Sequence, residues 1–324
     1  MDSHFISESI FFPKANRSPL VTLLGFVLIY CGGYFLAHEL KTVHLLFSGF
    51  ILFLFFLHSQ TRMFALLAIP VIFKNVIFDF TRYIPFQFMT PVHILGPYQI
   101  EKDWFGIFQA GQRLIPNEWL LQHLNPFLDI LTGICYFLNE PIAIVMIVLL
   151  WKKKSANIAF VYACSFLIMN LMAFVTQIFF PVAPPWYVMK YGFEQPLHPI
   201  PGDPAGLIRF DQVVGFPVSK TFYGMSPIVF GAIPSMHAGF AMLEFLFSFQ
   251  LGRVWSIISG LFFLGVCFSA VYLQHHYIID LLAGVLFALG TTLLTQTLAY
   301  IPLTHLYQSL FHFFIGRSSS HAKK

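Results

Sequence analysis

Long apolar runs alternate with short polar connectors along most of this chain. Eight runs approach the roughly 20 residues that a helix needs to cross a bilayer. They predict spans at 19–37, 43–58, 63–84, 127–150, 156–180, 236–250, 254–273 and 276–298. The pattern therefore predicts an all-α, polytopic membrane helix bundle with about eight transmembrane helices.

Composition supports a membrane protein. Hydrophobic residues make up 57% of the 324 residues, charged residues only 10%, and the mean hydropathy is +0.74, whereas a soluble domain carries about 25% charge. A chain this apolar cannot cover a water-facing surface, so membrane lipids are its expected surroundings and partners. The net charge of +4 is modest, and no basic patch with interleaved aromatic residues points to nucleic acid.

The basic residues predict the orientation. An even number of spans places both chain ends and the connectors at Arg62, Lys152 to Lys154 and Arg253 on one side. That side carries ten lysines and arginines against two acidic residues, which predicts that both termini are cytoplasmic. An integral multi-pass protein of this orientation would lie in the Golgi of a eukaryote or in the inner membrane of a bacterium.

Two long connectors, 85–126 and 181–235, then face the lumen or periplasm. The first is rich in aromatic residues, which suits a helix lying on the bilayer surface, and the second is rich in proline and glycine, which predicts a cap. We expect an N-terminal two-helix region at 1–62, a membrane core at 63–300 that includes both connectors, and a cytoplasmic tail at 301–324.

The stretch Pro234-Ser-Met-His237 places a histidine at the start of a predicted span. Ser235 can cap this helix, and a proline fits its first turn. His237 then lies at the outer membrane surface, where free backbone N–H groups favour an anion.

A second stretch places His276 and Asp280 four residues apart, on one face of the last predicted span. An aspartate that accepts a hydrogen bond from one ring nitrogen makes the other nitrogen a nucleophile. Two spans separate His237 from His276, so both histidines lie at the same level and on the same side. A lone histidine at a membrane surface is ordinarily only interfacial, but three ionisable groups at one depth favour a catalytic site.

Metal binding is the alternative chemistry for these residues. Two histidines and an aspartate can hold zinc or iron, but no fourth ligand has an obvious spacing. We therefore expect no metal and no cofactor.

Pro-Ser-Met-His237 and His276-x-x-x-Asp280 resemble the second and third motifs of the type 2 phosphatidic acid phosphatase superfamily. The first motif, Lys-x₆-Arg-Pro, is absent, and Ala270 stands where the third motif has an arginine. Four segments resemble the inositol phosphorylceramide synthase branch more closely. They are Pro184–Tyr187, Ala205–Asp211, Ser226–His237 and His275–Asp280.

This resemblance implies a phosphatidic acid phosphatase type 2-like core and a lipid head-group phosphotransferase. His276 would attack phosphorus and form a phosphohistidine, Asp280 would orient it, and His237 would be the acid and base. The donor would be phosphatidylinositol, and the acceptor would be ceramide or a diacylglycerol-type alcohol. Arg209 is the first candidate for binding phosphate in place of the missing arginines, and Ser235 and Lys220 are further candidates.

Two other functions stay open at this point. A lipid phosphate phosphatase would use the same residues with water as acceptor. A non-catalytic lipid-binding protein or a transporter is the third reading, although transporters tend to show internal repeats and none is evident here. An accessory membrane subunit is not identified by the sequence.

Overall fold

The computed structural model describes residues 18–36, 40–81, 90–196, 200–224, 226 and 228–300. Within these ranges, helices predominate because the apolar runs are long and contain few helix breakers. The long apolar helices are α1 (Ser18–Leu36), α2 (Thr42–Leu57), α3 (Ser59–Phe80), α6 (Pro126–Lys153), α7 (Ala156–Phe179), α11 (Met236–Ser248), α12 (Arg253–Tyr272) and α13 (Ile278–Tyr300).

Shorter elements form the two long connectors. They are α4 (Leu95–Phe105), the strands β1 (Ile107–Gln109) and β2 (Gln112–Leu114), α5 (Pro116–Leu121), α8 (Pro185–Tyr191), α9 (Leu207–Val214) and α10 (Val218–Gly224). The strands form an antiparallel hairpin in which Phe108 faces Arg113.

A helix occupies each of the eight predicted spans. Five helices of the described chain are long and apolar enough to cross a membrane: α3, α6, α7, α12 and residues 278–297 of α13. The apolar parts of α1 and α2 are shorter, and α11 has only 13 residues. The all-α, multi-pass character is therefore confirmed, whereas the count of eight spans stays a prediction. The predicted cytoplasmic ends, 1–17 and 301–324, lie outside the described residues.

The chain forms two compact units. The first unit contains 1–76, 147–164 and 293–324. Its apolar core joins α1, α2 and α3 through Leu23, Ile51, Phe55 and Ala65.

The second unit contains 77–146 and 165–292, and therefore both long connectors. Its core includes Tyr136, Leu207, Ala270, Tyr272 and Leu281. The connectors are joined by backbone bridges, since Val182 pairs with both His93 and Gly231. These bridges give the predicted cap an ordered framework without a further span.

Helices α11 and α13 approach each other very closely in this unit. A Cβ atom at Gly284 would lie 2.2 Å from the carbonyl oxygen of Ser235 and 3.1 Å from the amide of Gly239. Only glycine leaves room for this contact. It brings the N-terminal ends of α11 and α13 together, and these ends carry the predicted site.

The outward faces of the long helices are apolar. Leu261 and Leu264 of α12 and Leu286 of α13 are each more than 60% exposed. Exposed leucines on this scale suit a lipid environment, because hydrocarbon chains replace the missing protein contacts.

Candidate active site

The structure brings His276 and Asp280 into contact, as the spacing predicts. His276 Nδ1 lies 3.4 Å from Asp280 Oδ2 and 3.0 Å from the carbonyl oxygen of Ala232. Both neighbours are hydrogen-bond acceptors, so Nδ1 carries the proton. The lone pair of the neutral ring is then on Nε2, which is the nitrogen that can attack an electrophile.

The start of the last helix differs from the prediction. We expect His276 to open this helix, but α13 begins at Ile278, and the backbone amides of His275 and His276 both donate to the carbonyl oxygen of Ala270. Asp280 Oδ2 accepts a hydrogen bond from the amide of Tyr277 at 2.8 Å. Asp280 therefore caps its own helix while it contacts His276.

His237 lies next to this pair, in the first turn of α11. Its ring centroid is 5.7 Å from that of His276, and its ring stacks on Tyr136 at 3.9 Å. Asn139 donates to the backbone carbonyl of His237 at 3.1 Å. The predicted convergence of His237, His276 and Asp280 is thus present in the structure, and neighbouring side chains hold His237 in place.

Ser235 caps α11 as the sequence predicts. Its hydroxyl accepts a hydrogen bond from the amide of Ala238 at 3.4 Å, and its own amide donates to the carbonyl oxygen of Asp280 at 2.9 Å. The capping role is confirmed, and a role in phosphate binding stays a prediction.

Two buried residues from the first connector support the site and were missed by the sequence analysis. Glu101 of α4 accepts hydrogen bonds from the amides of Ile278 at 2.9 Å and Ile279 at 3.1 Å. Asn117 of α5 donates to the carbonyl oxygens of Val271 and His276, both at 3.0 Å. The only local signal was a carboxylate and an amide in a segment rich in aromatic residues.

Burial perturbs two groups beside the site. It raises the pKa of Glu101 to about 7, a change that the nearby Asp280 increases and the two backbone hydrogen bonds oppose. It lowers the pKa of His275 to about 3, with His276 acting in the same direction. His275 is therefore neutral at pH 7, and it stacks between Tyr136 and Tyr223 at centroid distances of 5.0 and 4.7 Å.

Arg209 forms an ion pair in a mostly buried position. Its Nε lies 2.7 Å from Asp129 Oδ1, and a terminal nitrogen donates to the carbonyl oxygen of Tyr272 at 3.3 Å. The hydroxyl of Tyr272 donates to the same Asp129 oxygen at 3.0 Å. This network links α6, α9 and the end of α12, four residues before His276.

Lys220 does not join this network. It is exposed on α10, where its backbone amide donates to Asp211 Oδ2. Its predicted contact with phosphate is untested. Within the described ranges, no group of three or more histidine, cysteine, aspartate and glutamate side chains is arranged to hold a metal.

Comparison with known proteins identifies a matching family and several relatives of this chain. The family model of the PAP2 superfamily matches residues 111–294. The chain is 34% identical to the phosphoinositol dihydroceramide synthase of Bacteroides thetaiotaomicron, over 77% of this chain and 82% of that protein.

Two fungal relatives are similar over a comparable part of this chain. The inositol phosphorylceramide synthase catalytic subunit of Schizosaccharomyces pombe is 31% identical over 74% of this chain and 55% of its own length. The subunit of the same name in Saccharomyces cerevisiae is 30% identical over 71% and 56%. The chain thus spans about half the length of these fungal proteins.

No solved structure matches the chain. The family match includes His237, His276 and Asp280, and the similarity to the bacterial synthase extends over most of both proteins. The chain therefore belongs to the PAP2 superfamily, in the branch of the inositol phosphorylceramide synthase-like phosphotransferases.

Proposed function

We propose that this protein moves a phosphoinositol-type head group from phosphatidylinositol to a ceramide-like alcohol, through a phosphohistidine on His276. The observation that carries the proposal is the position of His276 Nδ1 between the Ala232 carbonyl and Asp280. A proton held on Nδ1 leaves Nε2 as the nucleophile, which is the arrangement that covalent phosphotransfer needs.

In the first step, Nε2 attacks phosphorus and the bond from phosphorus to the diacylglycerol oxygen breaks. His237, as the protonated acid, donates a proton to this oxygen, and diacylglycerol leaves. The ring centroids of the two histidines are 5.7 Å apart, so both side chains can reach one phosphoryl group.

In the second step, the hydroxyl of the acceptor attacks phosphorus and the bond from phosphorus to His276 Nε2 breaks. His237, now neutral, takes the proton of the hydroxyl, and both histidines return to their starting states. Asp280 holds the His276 ring in one tautomer throughout. Arg209, Ser235 and Lys220 are our candidates for stabilising the phosphoryl charge.

The test uses purified protein with phosphatidylinositol labelled in the inositol ring, with and without ceramide. We expect labelled inositol phosphorylceramide only when ceramide is present, and no product from His276→Ala. His123→Ala is the matched control, because His123 is an exposed histidine at the end of α5. If the protein releases water-soluble inositol phosphate and forms no labelled ceramide product even when ceramide is present, it is a phosphatase that uses water as acceptor.

The covalent intermediate is tested separately. Protein quenched with labelled donor should carry an acid-labile, base-stable label, as a phosphoramidate does, and His276→Ala should carry none. Undiminished labelling of His276→Ala would remove the assignment of the nucleophile. Because every step uses protein groups, we expect turnover to survive EDTA, and activity restored by added zinc or magnesium after chelation would contradict the mechanism.

A further inference from the structure

A cavity of about 360 Å³, widely open to its surroundings, lies beside the segment that leads into His276. Its walls include Trp186, Lys190, Asp203, Gly206, Arg209 and Gln274. The volume falls in the range of about 300–1,000 Å³ that is typical of small-molecule sites. The active-site histidines do not line this cavity, so it is a separate feature of the second unit.

Backbone hydrogen bonds join the cavity walls to the catalytic segment. The amide of Gly206 donates to the Leu273 carbonyl at 3.0 Å, and the amide of Trp186 donates to the Gln274 carbonyl at 3.1 Å. A Cβ atom at Gly206 would lie 2.7 Å from Leu273 Cα, so glycine permits this contact. Two residues of chain span at most about 7 Å, which places Gln274 next to His276.

The charges around the cavity are already paired. Lys190 Nζ lies 2.7 Å from Asp203 Oδ2, and this hydrogen bond raises the pKa of Lys190. Arg209 is paired with Asp129. A free anion would gain little from cations that are already neutralised, so the cavity is not arranged primarily as an anion site.

Paired charges instead offer donors and acceptors side by side. Lys190 is a donor and Asp203 an acceptor, while the Gln274 amide nitrogen donates to the Tyr272 carbonyl and leaves its oxygen towards Gly206. Each hydroxyl of a polyol both donates and accepts, and Trp186, a mostly buried residue that also lines the cavity, adds apolar surface. This set of groups suits a neutral ring with several hydroxyl groups.

We propose that this cavity binds the polyol ring of the donor lipid's head group and thereby determines head-group specificity. The inference rests on the proposed function, because it assigns the part of the donor that the catalytic histidines do not contact. The phosphate would lie towards His276, outside the cavity, and the ring hydroxyls would bind Lys190, Asp203 and Gln274.

The first experiment measures binding without turnover. Glycerophosphoinositol, a soluble head group, is titrated into the purified protein and into Asp203→Asn, with glycerophosphocholine as the comparison ligand. Loss of one hydrogen bond to a charged group should weaken glycerophosphoinositol binding by about tenfold or more. Asp103→Asn is the matched control, since Asp103 is an exposed aspartate outside the cavity.

The second experiment measures kinetics with phosphatidylinositol. Asp203→Asn and Lys190→Met should raise KM by about tenfold with a smaller change in kcat, because they remove donor contacts and not the nucleophile. Lys154→Met controls for the loss of an exposed lysine. Lys190 is the second variant because its side chain is 54% exposed, so its replacement leaves the fold intact.

These two readouts separate the inference from the proposed function. Normal glycerophosphoinositol binding by Asp203→Asn and normal KM in both variants of an active enzyme would overturn the cavity's role and leave the transferase standing. Weakened glycerophosphoinositol binding in a protein that transfers nothing would keep the cavity and remove the transferase. Equal affinity of the wild-type protein for glycerophosphoinositol and glycerophosphocholine would also overturn the inference.

Discussion

Glu101 is expected to make the stability of this protein depend on pH, and Glu101→Gln is expected to remove that dependence. The side chain is fully buried and accepts the amides of Ile278 and Ile279 at the start of α13. Burial raises its pKa from an ordinary value of 4.5 to about 7. The folded protein therefore holds this proton more tightly than the unfolded chain does.

The sign and size of the effect follow from this difference. A raised pKa gives stability that is complete below about pH 4.5 and is lost as the pH rises through about 7. The difference between the pKa of about 7 in the folded protein and 4.5 in the unfolded chain corresponds to roughly 3 kcal/mol of unfolding free energy, at about 1.4 kcal/mol for each pH unit. Glutamine does not titrate, although its amide nitrogen cannot accept the second backbone N–H, which costs a pH-independent 1–3 kcal/mol or so.

The other ionisable groups close to Glu101 do not obscure the measurement. The pKa of Tyr98 is raised to about 12 by burial and by Glu118, and burial also raises that of Tyr277, so both stay neutral. Asp280 is the exception, because it interacts with Glu101 and adds to the rise in its pKa, so the difference between the two curves reports Glu101 together with this interaction.

The assay is equilibrium unfolding of both proteins in mixed micelles between pH 4.5 and pH 8. We expect the wild-type protein to lose up to about 3 kcal/mol relative to Glu101→Gln as the pH rises. Glu194→Gln, which removes an exposed carboxylate from the same unit, is the control. Parallel curves for wild type and Glu101→Gln would refute the reasoning.

Three further predictions concern other parts of the molecule. His237→Ala should slow turnover by about 10² to 10⁴, and a donor with a better leaving group should recover much of the loss; no recovery would mean a different role. Asp129→Asn leaves the mostly buried Arg209 unpaired and should lower the free energy of unfolding by about 3 kcal/mol, whereas an unchanged denaturation midpoint would contradict the ion pair's importance. Single cysteines at Glu194 and Lys153, in a protein without the four native cysteines, test the topology with a membrane-impermeant maleimide. Position 194 should react from outside and position 153 only after permeabilisation, and labelling of both from one side would require a new span count.

Much of the helical fold could be predicted from the sequence, because a lipid environment restricts the structures that the backbone can adopt. A backbone in hydrocarbon must satisfy its own hydrogen bonds, so each long apolar run becomes a helix. The limits of α7, predicted at 156–180 and observed at Ala156–Phe179, illustrate this. The start of α13 was less predictable, since side chains from elsewhere cap it at Ile278 and not at the first polar residue.

The three residues at the centre of the candidate site could also be predicted from the sequence. His276 and Asp280 are close in sequence, and a four-residue spacing brings them together whether the segment is a helix or a capped turn. The sequence analysis placed His237 beside them through the predicted topology alone, in which two crossings return the chain to the same side. The three residues therefore depended on local spacing and on the number of crossings, both of which a single sequence carries.

The contacts that hold the site depend neither on local spacing nor on the number of crossings, so the sequence does not predict them. Arg209 and Asp129 are 80 residues apart, and Glu101 lies 177 residues from Ile278. No periodicity marks these pairs, because one residue of each pair, Arg209 or Glu101, comes from a connector whose path is determined by tertiary packing. A charged residue in a connector looks the same in the sequence whether it is solvated or buried.

The position of His276, our proposed nucleophile, consequently depends on the two long connectors as much as on the long apolar helices. Glu101 holds the first amides of α13, Asn117 holds the carbonyl of His276, and the Ala232 carbonyl from the second connector holds its ring. Two connectors far apart in sequence thus converge on the segment from His276 to Asp280. A nucleophile that must attack phosphorus in line needs this kind of positioning, since misplacement by about 1 Å can cost 100-fold in rate. The connectors therefore belong to the framework of the proposed active site, and substitutions at Asn117 are expected to impair turnover although its amide nitrogen donates to backbone carbonyls.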